Sequence, residues 1–138
     1  METAQTITLK RTGDAPLSVT GRQLDAQSVR ITERDGEALR AFTVVIVEAE
    51  SGKYVVGVNY VTNWKNESDI DRAFVCKDAT GVRMAIREYS EGIADMPIGF
   101  PAGDKFRDRQ ANLVRELRRR FDELATKILD RPEFAETV

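Results

Sequence analysis

Glu67, Asp69 and Asp71 stand at two-residue spacing, which on an extended segment would set three carboxylates on one face. Oxygen ligands of that kind suit a hard cation such as Mg²⁺ or Ca²⁺. The same acids at a loop-to-strand junction also read as charge that protects a sheet edge from unwanted pairing. They are therefore weak candidates for a metal site, and the sequence assigns none. Glu48 and Glu50 near Lys53 share the composition of carboxylate-plus-lysine nuclease centres, but their spacing is not the usual E-x-K. Ser51-Gly52-Lys53 lacks the leading glycine and the following Ser/Thr of a phosphate loop, and no G-x-G-x-x-G occurs. No cofactor is expected.

The chain has no histidine and one cysteine, Cys76. Histidine is the commonest general acid/base and metal ligand, so histidine triads and imidazole metal sites are excluded. Cys76 lies in an apolar run and reads as a small buried side chain rather than a reactive thiol. No nucleophile–base pair is recognisable, and no catalytic residue is assigned.

Two further groups could bind rather than react. Trp64, with Tyr54, Tyr60 and Asn63 nearby, is the most concentrated amphipathic aromatic region, of the sort that fills either cores or interface hot spots. Tyr54, Tyr60 and Trp64 are thus the candidate interaction residues. Lys105, Arg107, Arg109, Arg115, Arg118 and Arg119 belong to a stretch, 105–120, with seven basic residues against two acidic ones. They are the candidate nucleic-acid contacts. From Phe121 onward the balance reverses to two basic against five acidic. At 100° per residue Arg115, Arg118 and Arg119 spread over much of a helix surface, no aromatic residue is interleaved for base stacking, and a solvated basic face is the simpler reading.

The elements that must position these groups follow from periodicity. Runs at 29–32, 39–49, 54–64 and 70–76, punctuated by Asp35-Gly36, Ser51-Gly52 and the polar loop 65–68, predict an antiparallel meander. Residues 6–10 and 17–20 are further candidate strands around the turn signal Gly13-Asp14-Ala15-Pro16. In the run 39–49, Phe42, Val44 and Ile46 point one way, while Thr43, Val45, Val47 and Ala49 point the other. A sheet with one wet face should alternate cleanly, so the second face needs cover. That cover comes either from a second copy in a homodimer or from residues 6–24 folding back.

A first helix is expected from a cap at Asp78 or Thr80 to Gly92, with Val82, Ile86 and Tyr89 on its apolar side. After a Pro/Gly loop at 96–103, Asp104 opens a long helix to about Asp130. Phe106, Leu113, Leu117, Phe121, Leu124 and Ile128 form its stripe, widened by Val114, Ala125 and Leu129. The helix would span roughly 39 Å and the longest strands about 33 Å, so it can lie along the sheet.

The expected fold is α+β: an antiparallel meander of four to six strands with a short helix and one long C-terminal helix on one face. It reads as one domain over 1–138, with ends at 1–5 and 131–138 expected to fray. The net charge of −2 provides no global attraction to nucleic acid or anionic lipid. No stretch approaches the ~20 apolar residues of a membrane span, and no signal-peptide pattern opens the chain. A cytoplasmic, non-catalytic bacterial or phage protein is expected, acting through protein–protein contacts as an accessory, regulatory or inhibitory subunit. The alternative is a nucleic-acid-associated accessory protein using the arginine-rich helix. A carboxylate-metal hydrolase is third.

Overall fold

The computed structural model describes residues 5–32, 39–64, 67–97 and 104–135. Five strands form one antiparallel sheet in sequence order: β1 (Gln5–Leu9), β2 (Leu17–Thr32), β3 (Leu39–Ala49), β4 (Tyr54–Thr62) and β5 (Ile70–Cys76). Helix α1 (Ala79–Gly92) runs into a 3-10 turn, Ile93–Asp95, and α2 (Asp104–Leu129) ends the fold. The β3–β4 turn closes as expected at Ser51-Gly52, where Gly52 takes φ +90°, a conformation that side-chain-bearing residues rarely adopt. The Asp35-Gly36 turn and most of the 96–103 loop lie outside the described residues.

β2 departs from the expected pair of short strands. It is one strand of 16 residues, and its pairing with β3 shifts between Gln23 and Asp25. Leu24 is the extra residue of a β-bulge. Because side chains alternate with period two, one inserted residue changes which face the odd positions occupy. Val19, before the bulge, packs with Val47 and Val55, whereas Val29 and Ile31, after it, pack into the helix-facing core. Bulged strands bend, and Gly21 permits a close approach there. A Cβ on Gly21 would stand 2.0 Å from the Glu48 carbonyl oxygen.

The bend lets the sheet curl into a half-barrel. β1 passes over the second face of β4, where Leu9 rests against the space left by Gly57. The turn after β1 reaches the opposite edge: the Thr12 amide donates to the Asp71 carbonyl at 2.8 Å, and the Asp71 amide donates to Thr12 Oγ1 at 2.7 Å. The second face is thus covered from within the chain. Leu9, Val19, Val47 and Val55 form a small core there, with Ile7, Leu17, Val45, Ala49 and Ala73 packed on it. The apolar character of both faces of β3, which motivated a homodimer, has an intrachain explanation.

The main core lies between the other face and the helices. Phe42, Val44, Ile46, Val56, Val58 and Tyr60 meet Val82 and Ile86 of α1 and Leu117, Phe121, Leu124, Ala125 and Ile128 of α2. Asp78 caps α1, its Oδ1 accepting from the Gly81 amide at 2.9 Å. Gly92 does not end the helix by a left-handed turn: its φ is −73°, and the chain tightens into the 3-10 turn that buries Ile93. The tail, expected to fray from Arg131, is instead held through Phe134. That ring is fully buried, meets Tyr54 at 5.3 Å between centroids, and its carbonyl accepts from Arg83 at 2.7 Å. No helix among the described residues is long and apolar enough to cross a membrane.

Candidate interaction surface

The three spaced carboxylates do not converge. Glu67 is drawn inward at the end of the sheet, where its side chain and that of Arg40 are no more than 2% exposed. Arg40 Nε lies 3.3 and 3.2 Å from the two Glu67 oxygens, Nη2 bonds Oε2, and the Tyr60 hydroxyl donates to Oε1 at 2.8 Å. Asp69 instead accepts from the Thr62 amide, and Asp71 accepts from Asn59 Nδ2. Among the described residues no group of three potential metal ligands forms. Enclosed and held by donors from β3 and β4, the Glu67 carboxylate fixes its own position against the sheet.

The aromatic candidates separate in part: Tyr60 and Trp64 both flank the Arg40–Glu67 pair, one through Glu67 and the other through Arg40, while Tyr54 lies apart. Tyr60 is in the core, Trp64 lies under the Arg40 guanidinium at 4.3 Å, and Tyr54 sits at the opposite end of β4 against Phe134. The structure does not bring Tyr54, Tyr60 and Trp64 together on one surface. Glu48 forms a surface ion pair with Arg22 on β2. Cys76 is buried, and burial pushes its thiol pKa up, with Asp78 adding to the shift. Both features weaken a thiolate nucleophile.

Burial also controls two phenols. It raises Tyr60 far above the ordinary range, reinforced by its hydrogen bond to Glu67, and it pushes Tyr89 up to about 12. An unfolded tyrosine ionises near pH ~10, so the folded chain holds these protons more tightly. The corresponding stability is complete below about pH 10 and is lost as pH rises above it. The Tyr89 hydroxyl is buried without a hydrogen-bond partner. Tyr89→Phe should therefore leave stability at neutral pH unchanged or raise it, and should flatten the alkaline decline. Urea unfolding followed through Trp64 fluorescence from neutral pH to above pH ~10 checks both expectations.

The basic stretch divides into neutralised and unneutralised parts. On the outer face of α2, Arg119 bonds Glu116 at 2.7 Å and Glu123 at 2.6 Å. The Arg119 hydrogen bond holds the Glu116 carboxyl below its usual range. Arg120 reaches the Arg30 carbonyl on β2 at 3.1 Å and pairs with Glu123 at 3.8 Å. Arg115 bonds only the side-chain oxygen of Asn112, and Arg109 has no side-chain partner among the described residues. The side chains of Lys105 and Phe106 lie outside the described residues. Residues 107–112 are all exposed. Six consecutive helical positions sample every direction around the axis, so this part of α2 stands clear of the sheet.

A feature the sequence reading missed lies beside it. α1 and α2 border a groove of about 320 Å³ lined by Arg83 and Arg87 from α1 and Arg118 from α2. Arg118 Nε donates to Ser90 Oγ at 3.2 Å, and Ser90 Oγ in turn donates to Asp122 Oδ1 at 2.6 Å. Three guanidiniums thus share a groove with one carboxylate. The available signal was the four-residue spacing of Arg83 and Arg87, which places both on one side of α1. Comparison with protein-family models, curated proteins and solved structures finds no match for this chain.

Proposed function

We propose that this protein is a non-catalytic accessory, regulatory or inhibitory subunit that acts through protein–protein contacts, and that it meets its partner with the first turns of α2. The observation that carries this reading is the exposure of residues 107–112 around the whole helix circumference. A short helical segment is marginal in water without tertiary contacts. A partner packed on this one would supply them.

The nucleic-acid alternative has less support. Glu116 and Glu123 occupy the guanidinium of Arg119, and Glu123 also pairs with Arg120. This interrupts the positive track that a phosphate backbone would follow. The metal-hydrolase alternative lacks converging carboxylates among the described residues.

Affinity capture from the native host tests the reading with the wild type and an Arg109→Glu/Arg115→Glu variant. Both positions are exposed, so the fold should tolerate the changes within about 0.5 kcal/mol. The principal co-purifying protein should be lost from the variant by roughly tenfold or more. Nuclease treatment should leave wild-type capture intact. Capture that ignores the substitutions, or that nuclease abolishes, would overturn the reading.

A further inference from the structure

We propose that the α1–α2 groove reads an acidic-apolar peptide segment of the protein partner, a proposal that rests on the protein-contact reading above. Two observations define the occupant. Arg87 has no side-chain partner among the described residues, and Arg118 engages only the neutral Ser90 hydroxyl through Nε. The Nη groups of Arg118 and the whole Arg87 guanidinium are therefore available for charge-assisted hydrogen bonds to a carboxylate. Ser90 is 5% exposed and is itself bonded to Asp122, so it fixes Arg118 from behind.

The groove is also apolar between its cations, with Ile86, Ala125 and Leu129 in its lining. An aliphatic side chain adjacent to an Asp or Glu would bury its surface there while its neighbour meets the arginines. At 100° per residue, Arg107, Ala111 and Arg115 lie within about 80° of Arg118 on the same flank of α2. The exposed first turns of the helix thus carry the same flank on which Arg118 lines the groove. Single-stranded nucleic acid suits it less, because the described residues of the lining include no aromatic ring on which a base could stack.

Fluorescence anisotropy with a labelled Asp-Leu repeat dodecapeptide tests the proposal on the full chain. A Lys-Leu dodecapeptide and an oligothymidylate of similar length serve as comparison probes. The Asp-Leu peptide should bind saturably and more weakly as salt rises, and Arg118→Glu should reduce its affinity by roughly tenfold or more. Arg87→Glu should do the same. Arg87 is exposed and makes no side-chain hydrogen bond or ion pair among the described residues, so this variant separates recognition from folding. Absence of wild-type binding, equal binding by both variants, or preference for the Lys-Leu peptide would overturn the proposal. Preference for oligothymidylate would overturn it in favour of a nucleic-acid groove. If host capture depends on Arg109 and Arg115 while the Asp-Leu peptide does not bind, the groove assignment fails and the protein-contact reading stands.

Discussion

Glu67→Gln should destabilise the fold by about 3–5 kcal/mol, the cost expected when one member of a buried ion pair loses its charge and the other stays inside. Arg40 enters the sheet end on β3, and Glu67 meets it from the loop after β4, both almost completely enclosed. The carboxylate also accepts from Tyr60. Replacing it with an amide leaves the guanidinium buried without its counter-charge. The described residues next to Glu67, 67–69, should loosen as a result. Arg40→Met/Glu67→Met should cost less than either single change, because removing both charges removes the desolvation they share. Chemical denaturation of the wild type, Arg40→Met, Glu67→Met and the double variant measures the cycle. Equal stability of Glu67→Gln and wild type would show that the pair is not enclosed.

Phe121→Ala should cost about 3–5 kcal/mol, the range for deleting a buried aromatic ring. Phe121 is fully buried where α2 meets both α1 and the sheet. Its ring contacts Phe42 of β3 at 5.4 Å and Tyr89 of α1 at 4.9 Å between centroids. No other α2 side chain joins those two elements through aromatic contacts among the described residues. By contrast, Arg109→Ala on the exposed end of the same helix should shift stability by less than about 0.5 kcal/mol. Thermal and urea unfolding distinguish the two. Comparable losses would show that the early turns of α2 are packed rather than presented.

That contrast along one helix was partly legible from sequence. Leu117, Phe121, Leu124 and Ile128 repeat at helical spacing, and all four are buried. Spacing alone does not reveal where along its length a helix meets the sheet, and so residues 107–112 read as a continuation of the packed element. β3 and β4 were readable because their apolar runs are long and their turn residues plain. β2 was not, because the extra residue at Leu24 breaks the period of two on which strand reading depends. The two faces of β3 correctly called for two covers. Which chain supplied the second depended on Gly21 and on the contact between Thr12 and Asp71, neither visible as a pattern.

The candidate surface was less legible still. The arginines of α2 were conspicuous as a charge run, but composition does not show that Glu116 and Glu123 occupy Arg119, or that Ser90 holds Arg118 toward α1. Arg83 and Arg87 belong to another helix, and only tertiary packing places them opposite Arg118. Arg40 and Glu67 are far apart in sequence, and a single arginine before an apolar run carries no sign of burial. Glu67 looked like one of three metal ligands because spacing records side-chain direction only for an extended strand. The loop preceding β5 turns it inward.

The proposed partner contact lies on the early turns of α2. A photo-crosslinking amino acid introduced in place of Ala111 in the native host, with Ser51 on the β3–β4 turn as the control position, tests it most directly. Both sites are exposed. A dominant protein adduct is expected from position 111, resistant to nuclease and absent from position 51. A nucleic-acid adduct at 111, or equal and diffuse labelling from both positions, would contradict it.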